Sequence, residues 1–123
     1  MGSCPSRLRG KTPTGFHRVW TYDKALSVIR AYVAAATDDR GVVLEERTLD
    51  RPYGWVFFYQ SRLYIETGDV RHALVGIEPV LFNRISGEYR ALGSAHPVED
   101  YLREYEAQLP RFQLEMTPQR RTP

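Results

Sequence analysis

Apolar residues recur at helical spacing in two stretches of the chain, one near each end. In the first stretch they lie three or four residues apart, which places them on one face of an amphipathic helix. They are Ala25, Leu26, Ile29, Val33 and Ala36. Thr21 or Asp23 can cap the first turn, and the polar stretch before Gly41 ends the helix.

The second stretch predicts a helix that follows Pro97, a residue suited to the first helical position. Glu99 and Asp100 lie in its first turn, where the helix dipole favours negative charge. Its apolar positions are Val98, Tyr101, Leu102, Tyr105 and Leu109. Pro110 ends this helix, because a proline inside a helix removes a backbone hydrogen bond.

Four strands are predicted between the two helices. The runs rich in β-branched or aromatic residues are 42–48, 55–59, 79–83 and 88–92. Residues 49–54 form a turn, residues 61–76 a long irregular link with one helical turn near 69–74, and Gly87 allows a tight hairpin. The fold class is therefore α+β, with a small antiparallel sheet of about four strands flanked by an N-terminal and a C-terminal helix.

The run Trp55–Tyr59 is the strongest strand signal. Trp55, Phe57 and Tyr59 face one side of a strand, whereas Val56 and Phe58 face the other. Because both sides are apolar, we expect this strand to be central. One face should lie under a helix, and the other under a loop, a partner subunit or a target.

The two ends of the chain differ in composition from the middle. Residues 1–20 mix Gly, Ser, Pro, Arg and Thr, which predicts a largely disordered basic tail, although Phe16, Val19 and Trp20 can pack against the domain edge. A single α+β domain is expected over residues 21–109. Residues 110–123 are expected to form a second disordered tail.

Charge is nearly balanced, with 17 basic and 15 acidic residues and a net charge of +2. This is far below the excess typical of nucleic-acid-binding proteins, so no nucleic-acid partner is expected. Setting aside six basic residues and one acidic residue near the ends leaves 11 basic against 14 acidic residues. The folded body is therefore mildly acidic.

Features that mark export or membrane insertion are missing from the sequence. No run of about 18 apolar residues could span a bilayer, and the first 15 residues lack the apolar core of a signal peptide. The one cysteine, Cys4, cannot form an internal disulfide. We therefore expect a cytoplasmic protein that does not enter a membrane.

No residue pattern predicts catalysis, a metal or a cofactor. The candidate metal ligands are scattered without ligand spacing; they are Cys4, His17, His72 and His96. Cys4 lies in a tail that cannot hold catalytic geometry, and the candidate serines have turn or cap roles. They are Ser61, Ser86 and Ser94. We therefore expect that the chain is not an enzyme.

Two motifs allow more than one interpretation. The segment Glu66–Asp69 could serve acid–base chemistry or a cation, but it also fits a turn in which Gly68 has positive φ, or a partner contact. The aromatic face of Trp55–Tyr59 could stack on nucleic-acid bases. It contains no Lys or Arg, which favours a core role or contact with a protein.

Several short motifs, taken in order, resemble the YrhB-like family, also called the immunity protein 35 family. The resemblance runs from about Tyr22 to Glu106. The motifs are Gly54–Phe58, Glu66–Asp69, Gly76 with Pro79–Leu81, Ser86–Glu88, Leu92–Gly93 and Pro97–Glu106. Two positions depart from the family pattern: Ile77 and Glu78 replace an Asn and a small residue, and Asn83 replaces an Asp.

The resemblance implies a small bacterial α+β protein that is encoded beside a polymorphic toxin and neutralises it by binding. It also allows a heat-stable, chaperone-like protein that binds unfolded clients, or an accessory protein of a biosynthetic gene cluster. None of these roles needs a catalytic residue or a cofactor. A monomer and a homodimer both fit.

The leading hypothesis is an immunity protein whose partner is a cognate toxin. Its candidate contact residues are those expected on loops and exposed strand ends. They are Arg51, Tyr53, Tyr64, Glu66, Asp69 and Glu78. The chaperone alternative instead predicts an exposed apolar patch around Trp55 and Tyr59.

Overall fold

The structure, a computed structural model, describes residues 19–119. Within this range the chain forms helices and short strands, joined by two turns of 3₁₀ helix at Glu45–Arg47 and Val70–His72. In chain order the elements are α1 (Tyr22–Ala36), β1 (Gly41–Val43), β2 (Leu49–Arg51), β3 (Gly54–Phe57), β4 (Tyr59–Ser61), α2 (Arg62–Thr67), β5 (Val80–Asn83), β6 (Tyr89–Ala91), α3 (Val98–Glu106) and α4 (Arg111–Leu114).

The strands form two antiparallel sheets. Four of them pair in the order β2-β3-β5-β6, and β1 pairs with β4 in a separate two-stranded sheet. In the larger sheet Trp55 lies opposite Asp50 on one side and Phe82 on the other. This arrangement confirms the predicted α+β class and the predicted antiparallel pairing.

Strand β3 is buried on both faces, as its alternation predicts. Trp55 and Phe57 belong to an apolar cluster with residues of α1, whereas Val56 belongs to a second cluster with Leu102 and Tyr105 of α3. All four residues of β3 are buried. Both faces of the sheet are therefore covered by helices of the same chain.

Helix α1 begins where the capping pattern predicts. The side-chain oxygen of Thr21 accepts a hydrogen bond from the backbone N–H of Lys24 at 3.3 Å, which makes Thr21 the N-cap. The helix ends at Ala36, and Asp38 and Asp39 both adopt positive φ. Aspartate tolerates this region better than most residues, so the acidic pair suits the turn out of the helix.

The predicted turn at residues 49–54 is too wide, because Leu49–Arg51 forms β2 and only Pro52 and Tyr53 turn the chain. Pro52 and Tyr53 form a two-residue connection between β2 and β3, and a Cβ at Gly54 would lie 1.9 Å from the carbonyl oxygen of Phe82. Glycine at this position lets β5 approach β3. A strand of three residues has no readable alternation, which explains why the pattern misses it.

Three other boundaries also differ from the prediction. The strand predicted at 42–48 is shorter and gives way to a 3₁₀ turn after Val43. The strand predicted at 55–59 breaks at Phe58, so that β4 leaves the larger sheet and pairs with β1. The link at 61–76 contains α2 as well as a 3₁₀ turn close to the predicted helical turn.

The hairpin between β5 and β6 has the predicted glycine. Gly87 has a φ of 78°, and its N–H donates to the carbonyl of Asn83 at 2.8 Å. The Asn83 side-chain oxygen accepts hydrogen bonds from the backbone N–H groups of Ile85 and Ser86. The asparagine therefore organises the turn that follows its own strand.

Residues 110–119 correct the expectation of a disordered tail from residue 110. Gln113 is buried, and its side-chain oxygen accepts a hydrogen bond from the Asn83 amide at 3.0 Å. The carbonyl of Thr117 accepts from the Arg84 guanidinium, and that of Gln119 accepts from the Trp55 indole. This segment supplies acceptors to donors that would otherwise lack them in the core.

The other end of the described chain also packs on the sheet. The Trp20 ring lies edge-on to Phe82, with 5.1 Å between ring centres. The backbone N–H of Trp20 donates to the carbonyl of Arg84 at 2.8 Å. This agrees with the expectation for Trp20, whereas Val19 is exposed and Phe16 lies outside the described residues. Residues 1–18, with Cys4 and His17, lie outside the described part of the chain.

We predict that truncation after Pro110 lowers the free energy of unfolding by about 2–4 kcal/mol, because buried donors on Asn83, Arg84 and Trp55 lose their acceptors. Urea denaturation followed by tryptophan fluorescence measures this. The control is truncation after Gln119, which removes none of these contacts. Equal stability of the two truncated chains would show that the segment does not support the core.

Candidate protein-binding surface

The longest connection between two strands joins β4 to β5 and carries α2 and the second 3₁₀ turn. We call residues 62–78 the arm. The arm starts directly after β4 and ends two residues before β5. It therefore projects from the place where the two sheets meet.

Hydrogen bonds hold the arm at several points along its length. The Ser61 hydroxyl accepts from the N–H of Tyr64 at 3.2 Å and caps α2. Gly68, with a φ of 72°, ends that helix, and Asp69 caps the 3₁₀ turn through the N–H of Arg71. The side-chain oxygen of Gln60 accepts from the N–H of Leu74 at 2.7 Å. The arm is thus an ordered structure.

The arm nevertheless exposes large apolar side chains. Four of the eight large hydrophobic residues that are exposed within residues 19–119 lie in it. They are Leu63 (46% exposed), Ile65 (49%), Val70 (75%) and Val75 (90%). Burying such a side chain gains about 1.5–3 kcal/mol, so an ordered segment that leaves several in water is typical of a binding surface.

Helix α2 separates two clefts. Seven of the ten residues that line the first cleft, of about 560 Å³, are apolar or aromatic; the lining residues are Leu44, Glu46, Arg47, Phe58, Tyr59, Gln60, Tyr64, Ile65, Ile77 and Pro79. Seven of the nine residues that line the second, of about 310 Å³, are polar; the lining residues are Asp39, Arg40, Ser61, Arg62, Leu63, Glu66, Arg71, His72 and Ala73. Leu63 and Ile65 thus project toward different clefts on the two sides of one short helix.

The polar cleft contains Ser61, Glu66 and His72 without a catalytic arrangement among them. The Ser61 hydroxyl caps α2, and no hydrogen bond joins any two of these three side chains in the described structure. Nucleophilic catalysis requires a nucleophile within hydrogen-bond distance of its base. Within residues 19–119 no three His, Cys, Asp or Glu side chains are grouped so that they could hold a metal ion.

Four of the six predicted contact residues lie in the arm. Tyr64 and Asp69 are half-buried, and Glu66 and Glu78 are exposed. The Arg71 guanidinium hydrogen-bonds to the Asp69 carboxylate at 2.7 Å and lowers the pKa of that carboxyl. Gly68 and Asp69 thus form the turn that was one interpretation of the segment Glu66–Asp69, whereas the Glu66 side chain is exposed.

The other two predicted contact residues lie at the β2–β3 hairpin. Tyr53 is 0% exposed, and its hydroxyl donates to the Glu106 carboxylate at 2.7 Å. Its side chain therefore belongs to the core and cannot touch a partner, which corrects its place among the contact residues. Arg51 is half-buried, with its Nε 4.0 Å from the same carboxylate.

The expected apolar patch around Trp55 and Tyr59 is also absent. Trp55 is 0% exposed, and Tyr59 is half-buried against the α1 cluster. Neither residue can offer a flat aromatic surface to an unfolded client or to a nucleic-acid base. Half of the large hydrophobic residues that are exposed within residues 19–119 lie on the arm instead.

Comparison with known proteins places this architecture in a family. The model of the immunity protein 35 family matches residues 23–108, which include both sheets and the arm. The chain belongs to the immunity protein 35 family. It is also 41% identical, over 61 residues, to the Escherichia coli (strain K12) protein named "Uncharacterized protein YrhB". That match spans 50% of this chain and 65% of the relative.

Two further findings complete the comparison. No solved structure matches this immunity protein 35 chain. In the part of the chain that the structure describes, no helix has both the length and the apolar character needed to cross a bilayer. The family match ends at residue 108, so α4 and the segment that follows it lie beyond the matched region.

The exposed apolar residues of this family member are what the sequence reasoning missed. Leu63 and Ile65 are too few to show a helical period, and Val75 lies beside Gly76 in a stretch read as an irregular link. The available signal was a cluster of large apolar residues in a segment assigned to no core-forming element. Such residues must either find a separate place in the core or remain in water.

We predict a pH-dependent contribution of Tyr53 to stability. Burial and the Glu106 carboxylate raise the pKa of Tyr53 above its ordinary value of 10.0. Above about pH 10 the unfolded chain loses this proton while the folded chain keeps it, so stability falls as pH rises. The midpoint temperature of thermal unfolding should fall less steeply between pH 8 and 11 for Tyr53→Phe than for the unmodified chain.

Glu106→Gln is the matched control for this measurement. It keeps Tyr53 buried but removes the carboxylate charge, so its slope should lie between those of the unmodified chain and Tyr53→Phe. Tyr59 and Tyr105 also have raised pKa values, chiefly because of burial, and both tyrosines are present in all three proteins. Identical slopes in the three proteins would contradict the assignment.

Proposed function

We propose that this chain is a non-catalytic immunity protein that neutralises a bacterial toxin by binding it through the arm. Membership of the immunity protein 35 family supports a toxin as the partner. The observation that carries the choice of surface is the ordered arm with Leu63, Ile65, Val70 and Val75 exposed. Toxin neutralisation by binding needs a surface rather than reacting groups.

The form of the arm suits tight binding. Because the side chains of Ser61 and Gln60 already accept hydrogen bonds from the backbone N–H groups of Tyr64 and Leu74, less conformational entropy is lost when a partner docks. Charged side chains surround the apolar ones, with Arg62, Arg71 and Glu66 all exposed. An apolar centre with a charged rim is the usual anatomy of a specific protein interface.

The apolar cleft beside α2 supplies a place for an anchoring side chain of the partner. Its walls include Phe58, Ile65 and Ile77, and Arg47 lies over the Phe58 ring at 5.9 Å. A buried aromatic or aliphatic anchor gives a large share of the affinity of many interfaces. Arg47 and Glu46 at this cleft would position polar groups around such an anchor.

Electrostatics and redox chemistry fit the same proposal. The mildly acidic body would speed encounter with a basic toxin. We place that encounter in the cytoplasm, since a single cysteine in 123 residues suits a reducing compartment.

The test is growth protection by co-expression with the toxin encoded beside the gene for this chain. We expect the unmodified chain to restore growth and to form a stoichiometric complex with the toxin. Leu63→Asp and Val70→Asp should each weaken the complex at least about tenfold, because a charge replaces a side chain that becomes buried on binding. Both positions are exposed in the free chain, so folding should be retained.

Phe112→Asp is the matched control, since Phe112 is an exposed large apolar residue in α4, outside the arm. It should protect as well as the unmodified chain. If both arm variants still protect, the binding surface lies outside the arm. If the unmodified chain gives no protection, the proposal of a toxin partner is overturned. Capture of many clients on heating would favour chaperone-like activity, and one partner without toxicity would favour an accessory role in a gene cluster.

A further inference from the structure

The outer edge of β6 is open. In the β5–β6 ladder Asn83 N–H donates to the carbonyl of Glu88 and Leu92 N–H to that of Pro79. Hydrogen-bonded pairs alternate in an antiparallel ladder, so the backbone N–H and C=O groups of Arg90 also point toward β5. Tyr89 and Ala91 must then direct their N–H and C=O groups away from the sheet.

Nothing in the described chain covers this edge. All three residues of β6 are exposed, and within residues 19–119 no backbone hydrogen bond from a turn, loop or cap reaches Tyr89 or Ala91. The opposite edge of the sheet is different, because the guanidinium of Arg51 donates to the carbonyl of Asp50 at 3.0 Å. An edge strand that is left open can pair with a strand of another chain.

The side chains of this edge carry a charge pattern that complements itself. Glu88 and Arg90 lie on the α3 side of the sheet, where the Arg90 guanidinium is 5.0 Å from the centre of the Tyr105 ring and 2.6 Å from the Glu88 carboxylate. Tyr89 lies between them in sequence, on the α1 side, where it stacks on Phe82. A two-fold axis through Tyr89 would place Glu88 of one copy opposite Arg90 of the other.

We propose that two copies of this chain associate by antiparallel pairing of their β6 edges, centred on Tyr89. The Tyr89 residues of the two copies would exchange two backbone hydrogen bonds and join the two four-stranded sheets. Glu88 of each copy would lie directly opposite Arg90 of the other, which is a favourable cross-strand pair. This association is independent of the proposed toxin, because it uses a different surface from the arm.

The charges also select this register. Shifting the pairing by two residues, so that Tyr89 faces Ala91 of the other copy, would place the two Arg90 side chains opposite each other. Like charges in directly opposed positions destabilise strand pairing. The sequence Glu88-Tyr89-Arg90 therefore favours the arrangement centred on Tyr89.

Sedimentation equilibrium of the full chain from about 5 to 500 µM tests the proposal. We expect a reversible rise from the mass of one chain, 14.2 kDa, toward twice that mass. Glu88→Arg and Arg90→Glu should each raise the dimer dissociation constant at least about tenfold, because each places like charges opposite each other. The double exchange restores opposite charges and should return the constant to within about threefold of the unmodified chain.

Two further variants make the result decisive. Arg103→Glu reverses an exposed charge of α3, away from β6, and should dimerise normally. Ala91→Pro blocks the open edge with a ring but removes no hydrogen bond to β5, and should leave the chain monomeric. Any of three results would overturn the proposal. They are a monomer at every concentration, a dimer that persists in Ala91→Pro, and single and double charge variants with the same dissociation constant.

Discussion

The rest of this structure depends on burying β3 from both sides. Trp55 and Phe57 lie under α1, Val56 lies under α3, and all three are fully buried. Because helices of the same chain take up both faces of the sheet, neither face is available for recognition. A domain built this way can meet a partner only through its edges and its connections, and both the arm and β6 belong to those regions.

Covering both faces creates a second problem at the end of the sheet, where polar groups are trapped. Asn83 is buried beside the Tyr105 hydroxyl, and the burial of Arg84 lowers its pKa. A buried donor without an acceptor lowers the stability of the folded state, so each of these groups needs a fixed acceptor. The segment after α3 provides them, through Gln113 for Asn83 and the Thr117 carbonyl for Arg84. The C-terminal segment is thus a structural requirement of the core.

The predictability of each part follows from the range of the interactions that form it. The alternation of Trp55–Tyr59 and the helical periods of α1 and α3 are local, so the sequence alone shows the elements and the two-faced core. The role of Gln113 depends on Asn83, 30 residues away, and no local pattern records that contact. The burial of Tyr53 likewise depends on α3, which is why the residue resembled a loop contact.

The same reasoning explains which exposed residues of the candidate surface can be recognised from the sequence. Glu66 and Glu78 were recognisable because charged residues in a link almost always remain in water. The exposure of Val70 and Val75 is a tertiary property, since a valine in a link can equally fill a gap in the core. Only the three-dimensional arrangement shows that these two valines remain in water.

The stability of the arm does not depend on its apolar side chains. Its order comes from backbone caps at Ser61, Gly68 and Asp69 and from the Gln60 bond to Leu74. Leu63 and Val70 contribute to none of these caps, so their identity is free to follow the partner rather than the fold. Under the proposed function, one part of the arm fixes the shape of the surface, and another part sets what the surface binds.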